Sequence, residues 1–112
     1  MGKQCITILS LSMRASGTIA EYRFVTPTGA QAGAGANTLG TSEYAADDGE
    51  MLAVANLGTA IVEAGAAVAA GAAVQSDASG RAITKDTGAT VARALAAAAA
   101  AGDFIEVTLI PN

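Results

Sequence analysis

Residues 91–112, VARALAAAAAAGDFIEVTLIPN, admit two readings, and the choice between them sets the fold class. Alanine has the highest intrinsic helix propensity, so the run from Ala96 to Ala101 reads locally as helix. A helix over 92–101 would carry Leu95 as its only large apolar side chain, too little to dock it on a core. The flanks read as strands. Val91, Arg93 and Leu95 alternate with alanines, and Ile105, Val107 and Leu109 share one face while Glu106 and Thr108 share the other. A weak internal repeat agrees. Sliding the chain by 53 residues lays Ala45, Ala46, Gly49, Glu50, Leu52 and Val54 over Ala98, Ala99, Gly102, Asp103, Ile105 and Val107. Asp47, Asp48 and Gly49 suit a turn better than a long helix, so the alanine run reads as a compact connection by the same pattern. Strand–turn–strand is the preferred reading, and a short two-turn helix is the alternative.

The rest of the chain repeats this grammar. Thirteen glycines, with many Ser, Thr, Asp and Asn residues, punctuate short apolar runs at the spacing of a small all-β domain. Residues 19–25, IAEYRFV, alternate Ala20, Tyr22 and Phe24 against Glu21 and Arg23, which predicts a half-buried strand. Residues 27–37 carry Pro27 and small residues with no large apolar side chain, which predicts an exposed, mobile loop. Residues 57–63, LGTAIVE, read as a further strand. Residues 70–84 read as a hairpin whose turn, Asp77-Ala78-Ser79-Gly80, pairs an Asp that bonds nearby backbone with a Gly that tolerates positive φ. The fold class is therefore mainly β: one small domain of short strands, with at most one short helix. Residues 1–13 form an N-terminal arm or strand, and 14–112 form the domain.

Composition bounds the function. Of 112 residues, 52% are hydrophobic, but 29 are Ala, so the core of one chain is thin and self-association is the default expectation. Six Lys and Arg are scattered through a chain of net charge −4, so nothing neutralises a run of phosphates and nucleic acid is not an expected partner. No segment approaches the roughly 20 apolar residues that span a bilayer, so no membrane partner is expected. The apolar stretch after Lys3 is broken by Thr7, Ser10 and Ser12. It reads as a strand rather than a signal peptide, in a chain expected to be soluble and intracellular when made. Cys5 stands alone and reads as a small, half-buried strand residue that forms no disulfide within the chain.

The same inventory argues against catalysis. Histidine, the commonest general base and metal ligand, is absent. One Cys cannot build a thiolate zinc site, and no nucleophile-elbow pattern accompanies the serines. The glycine-rich run from Gly29 to Asn37 lacks both the dinucleotide fingerprint and a phosphate-loop lysine. Glu43, Asp47, Asp48 and Glu50 form the one conceivable cation site, but calcium-loop spacing is missing and a solvated acidic turn is the better reading. No cofactor, metal or enzymatic activity is expected.

Particular residues then matter more than composition. RFVTPTGAQ (23–31), LGTSEYAADDGE (39–50), GTAIVEAGAAVAAGAAVQSDASGRAIT (58–84) and residues 91–112, in this order, resemble the small capsid cement, or head decoration, proteins of tailed bacteriophages. The most specific pieces are SDASGRA (76–82) and ARALAAAAAAGDFIEV (92–107). The resemblance implies a β-barrel or β-tulip-like fold, commonly a homotrimer, made in the host cytoplasm and bound to the outer surface of an expanded head. Its partners would be the major capsid protein and itself. The N-terminal segment, which alternates Ile6, Ile8, Leu9 and Leu11 with no turn signal to fold it back, could then join a sheet edge of the shell. Together with Tyr22 and Phe24, these are the candidate residues for contact with capsid or between subunits. A small β-barrel binding or carrier module of a bacterial host is the alternative function.

Overall fold

The computed structural model describes residues 6–112, so Cys5 lies outside the described residues. Its regular structure is all strand: β1 (Thr7–Arg14), β2 (Phe24–Val25), β3 (Gly40–Ser42), β4 (Met51–Glu63), β5 (Ala73–Ser76), β6 (Ala82–Thr84), β7 (Ala92–Ala94) and β8 (Phe104–Leu109). They form one sheet in the order β2-β3-β4-β8-β7-β5-β6, with β1 added antiparallel to β4. The two ends of that order come together. The Phe24 N–H at the start of β2 donates to the Gly80 carbonyl just before β6 at 2.8 Å, and Gly65 N–H donates to the Ala82 carbonyl at 2.8 Å. The sheet is thus a nearly closed barrel, which leaves few unpaired backbone groups at its edges.

The alanine run is a connection, not a helix. Ala98 forms an antiparallel bridge with Val68, and the Asp103 carboxylate accepts the Ala99 and Ala100 N–H groups at 2.9 and 3.3 Å. Gly102 adopts φ 94°, which turns the chain into β8.

The weak repeat proves to be a duplication of the fold. After β1, Ala15 donates to the Glu50 carbonyl at 2.8 Å and accepts from Gly49 N–H at 2.9 Å. After β4, Ala64 donates to Asp103 at 2.7 Å and accepts from Gly102 at 2.8 Å. The Ile19–Ala46 bridge is matched by Val68–Ala98. The β1–β4 ladder (Arg14 opposite Met51) is matched by β4–β8 (Glu63 opposite Phe104), and β3–β4 (Thr41 opposite Ala55) by β7–β8 (Arg93 opposite Thr108). β4 closes the first unit with its N-terminal half and opens the second with its C-terminal half. The spacing drifts from 49 residues at Ala15/Ala64 to 53 at Val54/Val107, so no single slide of the sequence aligns the whole unit.

Several sequence expectations need correction. Residues 57–63 are not a separate strand but the end of the 13-residue β4. Only Phe24 and Val25 of the predicted strand 19–25 are strand, and both are buried, because Tyr22 takes φ 58° and breaks the alternation. The segment 27–37 exposes Pro27, Thr28, Gly33, Ala34 and Asn37 but is anchored. Ala32 is in the core and donates to the Phe24 carbonyl at 2.9 Å, while the Gln31 side chain bonds Ala20 N–H and the Ser79 carbonyl at 2.9 Å each. In β7 the alanines Ala92 and Ala94 face the core and Arg93 faces out. Alanine is the right size where two sheet halves approach closely, and alanines make up half of the larger apolar cluster, around Phe24, Val62, Val74, Ile105 and Val107. Glu106, assigned to the polar face of β8, is buried, and its Oε1 has no hydrogen-bond partner.

The predicted hairpin 70–84 holds as β5–β6, with the turn at the predicted residues. Asp77 Oδ1 accepts Ser79 N–H and Arg81 N–H at 2.8 Å each, and Gly80 takes φ 76°. The N-terminal segment is likewise a strand, but Thr7–Arg14 is folded onto β4 rather than standing unpaired, and Met13 packs against the smaller cluster around Ile19, Leu52 and Val54.

Candidate docking surface

β1 pairs with β4 on one side, and no other strand among the described residues pairs with its outer edge. Natural edge strands are usually protected by lysines, prolines or inward-pointing charges. β1 has neither lysine nor proline, and Arg14 is its only charged residue. Bulges interrupt the ladder between Thr7 and Ser10, where Leu9 faces Leu57, while Ser10–Arg14 keeps a regular register against Met51–Ala55.

An aliphatic patch sits at the bulged end. Ile6, Ile8, Leu9 and Leu57 are 59, 73, 43 and 39% exposed. Ile6 is held in place by two bonds to one residue: its N–H donates to Thr59 Oγ1 and its carbonyl accepts Thr59 N–H, both at 2.9 Å. The contact candidates thus divide. Ile6, Ile8 and Leu9 are all exposed at this end of β1, and Leu57, the register partner of Leu9, is exposed too. Leu57 escaped sequence reasoning because register, which brings it opposite Leu9, is not visible in one strand alone. Leu11 is half-buried. Tyr22 is half-buried elsewhere, its ring edge-on to Phe104 at 5.6 Å and 75°. Phe24 is fully buried in the larger core cluster, so it is withdrawn as a contact residue.

The polar groups near the barrel closure serve structure. Arg23 pairs with Glu63 at 3.1 Å, Arg81 bridges Glu63 and Asp77 at 3.8 and 3.2 Å, and Arg23 also donates to the Ser79 carbonyl at 2.9 Å. The acidic turn is spent on capping: Asp48 accepts Gly17 N–H at 2.8 Å, Glu50 accepts Asp47 N–H at 2.7 Å, and Glu43 accepts the Ser10 hydroxyl. Among the described residues no three His, Cys, Asp or Glu side chains converge to hold a metal ion. A cleft of about 150 Å³ lies beside Tyr22, Thr41, Ser42, Glu43, Ala60 and Ile61, small beside the roughly 300–1,000 Å³ of ordinary ligand pockets.

The family model described as phage cement protein matches residues 4–109. The chain belongs to the phage cement protein family. Among solved structures, the head fiber gp8.5 N base of bacteriophage phi29 is similar to this cement protein over 91% of this chain and 93% of that one, with a TM-score of 0.75 and 18% identity. At that identity the likeness is one of fold. No curated protein matches the sequence.

Proposed function

We propose that this cement protein decorates the outside of an expanded phage head after synthesis in the host cytoplasm. There, as a self-associated assembly, most simply a trimer, it braces neighbouring major-capsid subunits. Membership of the family supports the reading, and the observation that carries it is the exposed patch Ile6, Ile8, Leu9 and Leu57 beside an outer strand edge. A strand edge gives a partner main-chain hydrogen bonds, and the aliphatic side chains give it apolar area to bury. A brace of this kind needs no chemistry, only area and multiplicity: several weak contacts on one assembly become strong together. The carrier alternative has only the small cleft in its favour.

Binding of purified protein to undecorated heads tests the reading. Ile8→Asp removes a protruding side chain whose burial stabilises by about 1.5–3 kcal/mol, so binding should weaken about tenfold or more per site. If Ile8→Asp and Leu57→Asp both saturate heads as tightly as the natural chain, the patch is not the shell contact.

A further inference from the structure

The duplicated fold contains one seam between its units, and each half of that seam has an exposed counterpart among the described residues. Within the chain, the second unit opens with Thr59–Glu63. One edge of this stretch pairs with β8, and at its other edge Glu63 N–H donates to the Tyr22 carbonyl at 2.9 Å. Tyr22 belongs to the first unit, and its ring lies against Phe104. The turn of one unit therefore covers the leading strand of the next. The equivalents of Glu63, Phe104 and Tyr22 are Arg14, Met51 and Gly71. At the matching place in the first unit, no strand among the described residues pairs with the outer edge of β1 at Arg14, and Met51 is 53% exposed. In the second unit the turn Ala69-Ala70-Gly71 is exposed as well. The Gly71 carbonyl takes the Arg93 guanidinium at 2.9 Å, and a carbonyl oxygen can accept a second donor. A Cβ built on Gly71 meets nothing within 4 Å, so the place filled by a ring at Tyr22 is open at Gly71.

We infer that a second copy of this chain covers the β1 edge at Arg14 and Met51, head to tail, with its Gly71 turn seated as Tyr22 is seated on β4. The two surfaces differ, so the contact is heterologous and closes into a ring or extends as a filament. It uses the Arg14 end of β1 and leaves the aliphatic patch at the Ile6 end for the shell. The inference rests on the self-association proposed above and names its seam.

Cross-linking tests it. Full-length Cys5→Ser protein carrying Met51→Cys is mixed with Cys5→Ser protein carrying Gly71→Cys and oxidised. A disulfide-linked pair that forms in the mixture, and in neither variant alone, supports the seam. Independently, Gly71→Tyr supplies a ring to face the Met51 thioether and should tighten association about threefold to tenfold by sedimentation. If the natural chain sediments as a monomer at every concentration, self-association fails and the seam with it. If the natural chain associates but Met51→Cys couples only to itself, or the mixture does not couple, the seam is overturned while self-association stands.

Discussion

Tyr22 and Gly71 stand at the same place in the two units. Both have positive φ, 58° and 85°, and each donates its N–H to the last residue of the facing strand, Tyr22 to Ser42 at 3.1 Å and Gly71 to Ala94 at 2.7 Å. Tyr22 is the only non-glycine residue with positive φ among the described residues. An L-residue there costs about 1 kcal/mol or more, and the ring contact with Phe104 returns about 0.5–1.5 kcal/mol. Tyr22→Ala keeps the strain and loses the ring, whereas Tyr22→Gly loses both. We expect Tyr22→Ala to be the less stable variant by about 1 kcal/mol, the reverse of the usual order in regular structure. Denaturant unfolding of the pair measures it, and equal midpoints would remove the strain assignment.

The turn into β8 makes a second pair of expectations. Gly102 has φ 94° with open space around it, so backbone strain alone decides its substitution. Gly102→Val should cost about 1–3 kcal/mol, while Ala99→Ser, at an exposed position, should be nearly silent in thermal unfolding. Asp103→Ala removes the acceptor of two backbone N–H groups and should cost about 1 kcal/mol.

These turns also show what could be read from sequence. The alanine connection was legible because Gly49-Glu50 and Gly102-Asp103 share a pattern with the strands after them. The hairpin at Asp77–Gly80 was legible because its chemistry is local. Long-range packing was not. Nothing in residues 19–25 signals that Tyr22 leaves the strand region, since the stretch alternates well and the turn is fixed by distant partners, the Ser42 carbonyl and the Glu63 N–H. Alanines misled in a consistent way: Ala32, Ala92 and Ala94 look too small to anchor anything, yet they fill a core where larger side chains would not fit. The shell-facing patch was half legible, in Ile6, Ile8 and Leu9, and its completion by Leu57 needed the register.

Asp77 organises the β5–β6 turn and one ion pair through separate oxygens. Oδ1 takes two backbone N–H groups, and Oδ2 takes the Arg81 guanidinium at 3.2 Å. Asp77→Asn keeps one carbonyl oxygen for the turn and loses the ion pair, which in this half-exposed setting is worth about 0.5–1 kcal/mol. Asp77→Ala leaves the turn donors without a side-chain acceptor and should cost about 2–3 kcal/mol. Added salt should narrow the gap between the natural chain and Asp77→Asn but not that between Asn and Ala. Urea midpoints at two ionic strengths report both differences.

Truncation separates the roles of β1. An unpaired arm could be removed without harm to the fold, but Thr7–Arg14 covers one side of β4, and Met13 packs beside Leu52 and Val54, both now fully buried. Deleting residues 2–13 would bare apolar side chains worth about 1.5–3 kcal/mol each, a large share of the roughly 5–15 kcal/mol that holds a small domain together. We expect the truncated chain to lose its cooperative thermal transition or to melt far lower. Ile8→Asp, on an exposed side chain, should shift the midpoint by only a few degrees, since about 1 kcal/mol moves a domain of this size by roughly 4–8 °C. Loss of head binding by the truncated chain would therefore report unfolding, whereas loss by Ile8→Asp at an unchanged melting temperature would report docking. A truncated chain that melts like the natural one would mean that β1 adds no stability through its pairing with β4.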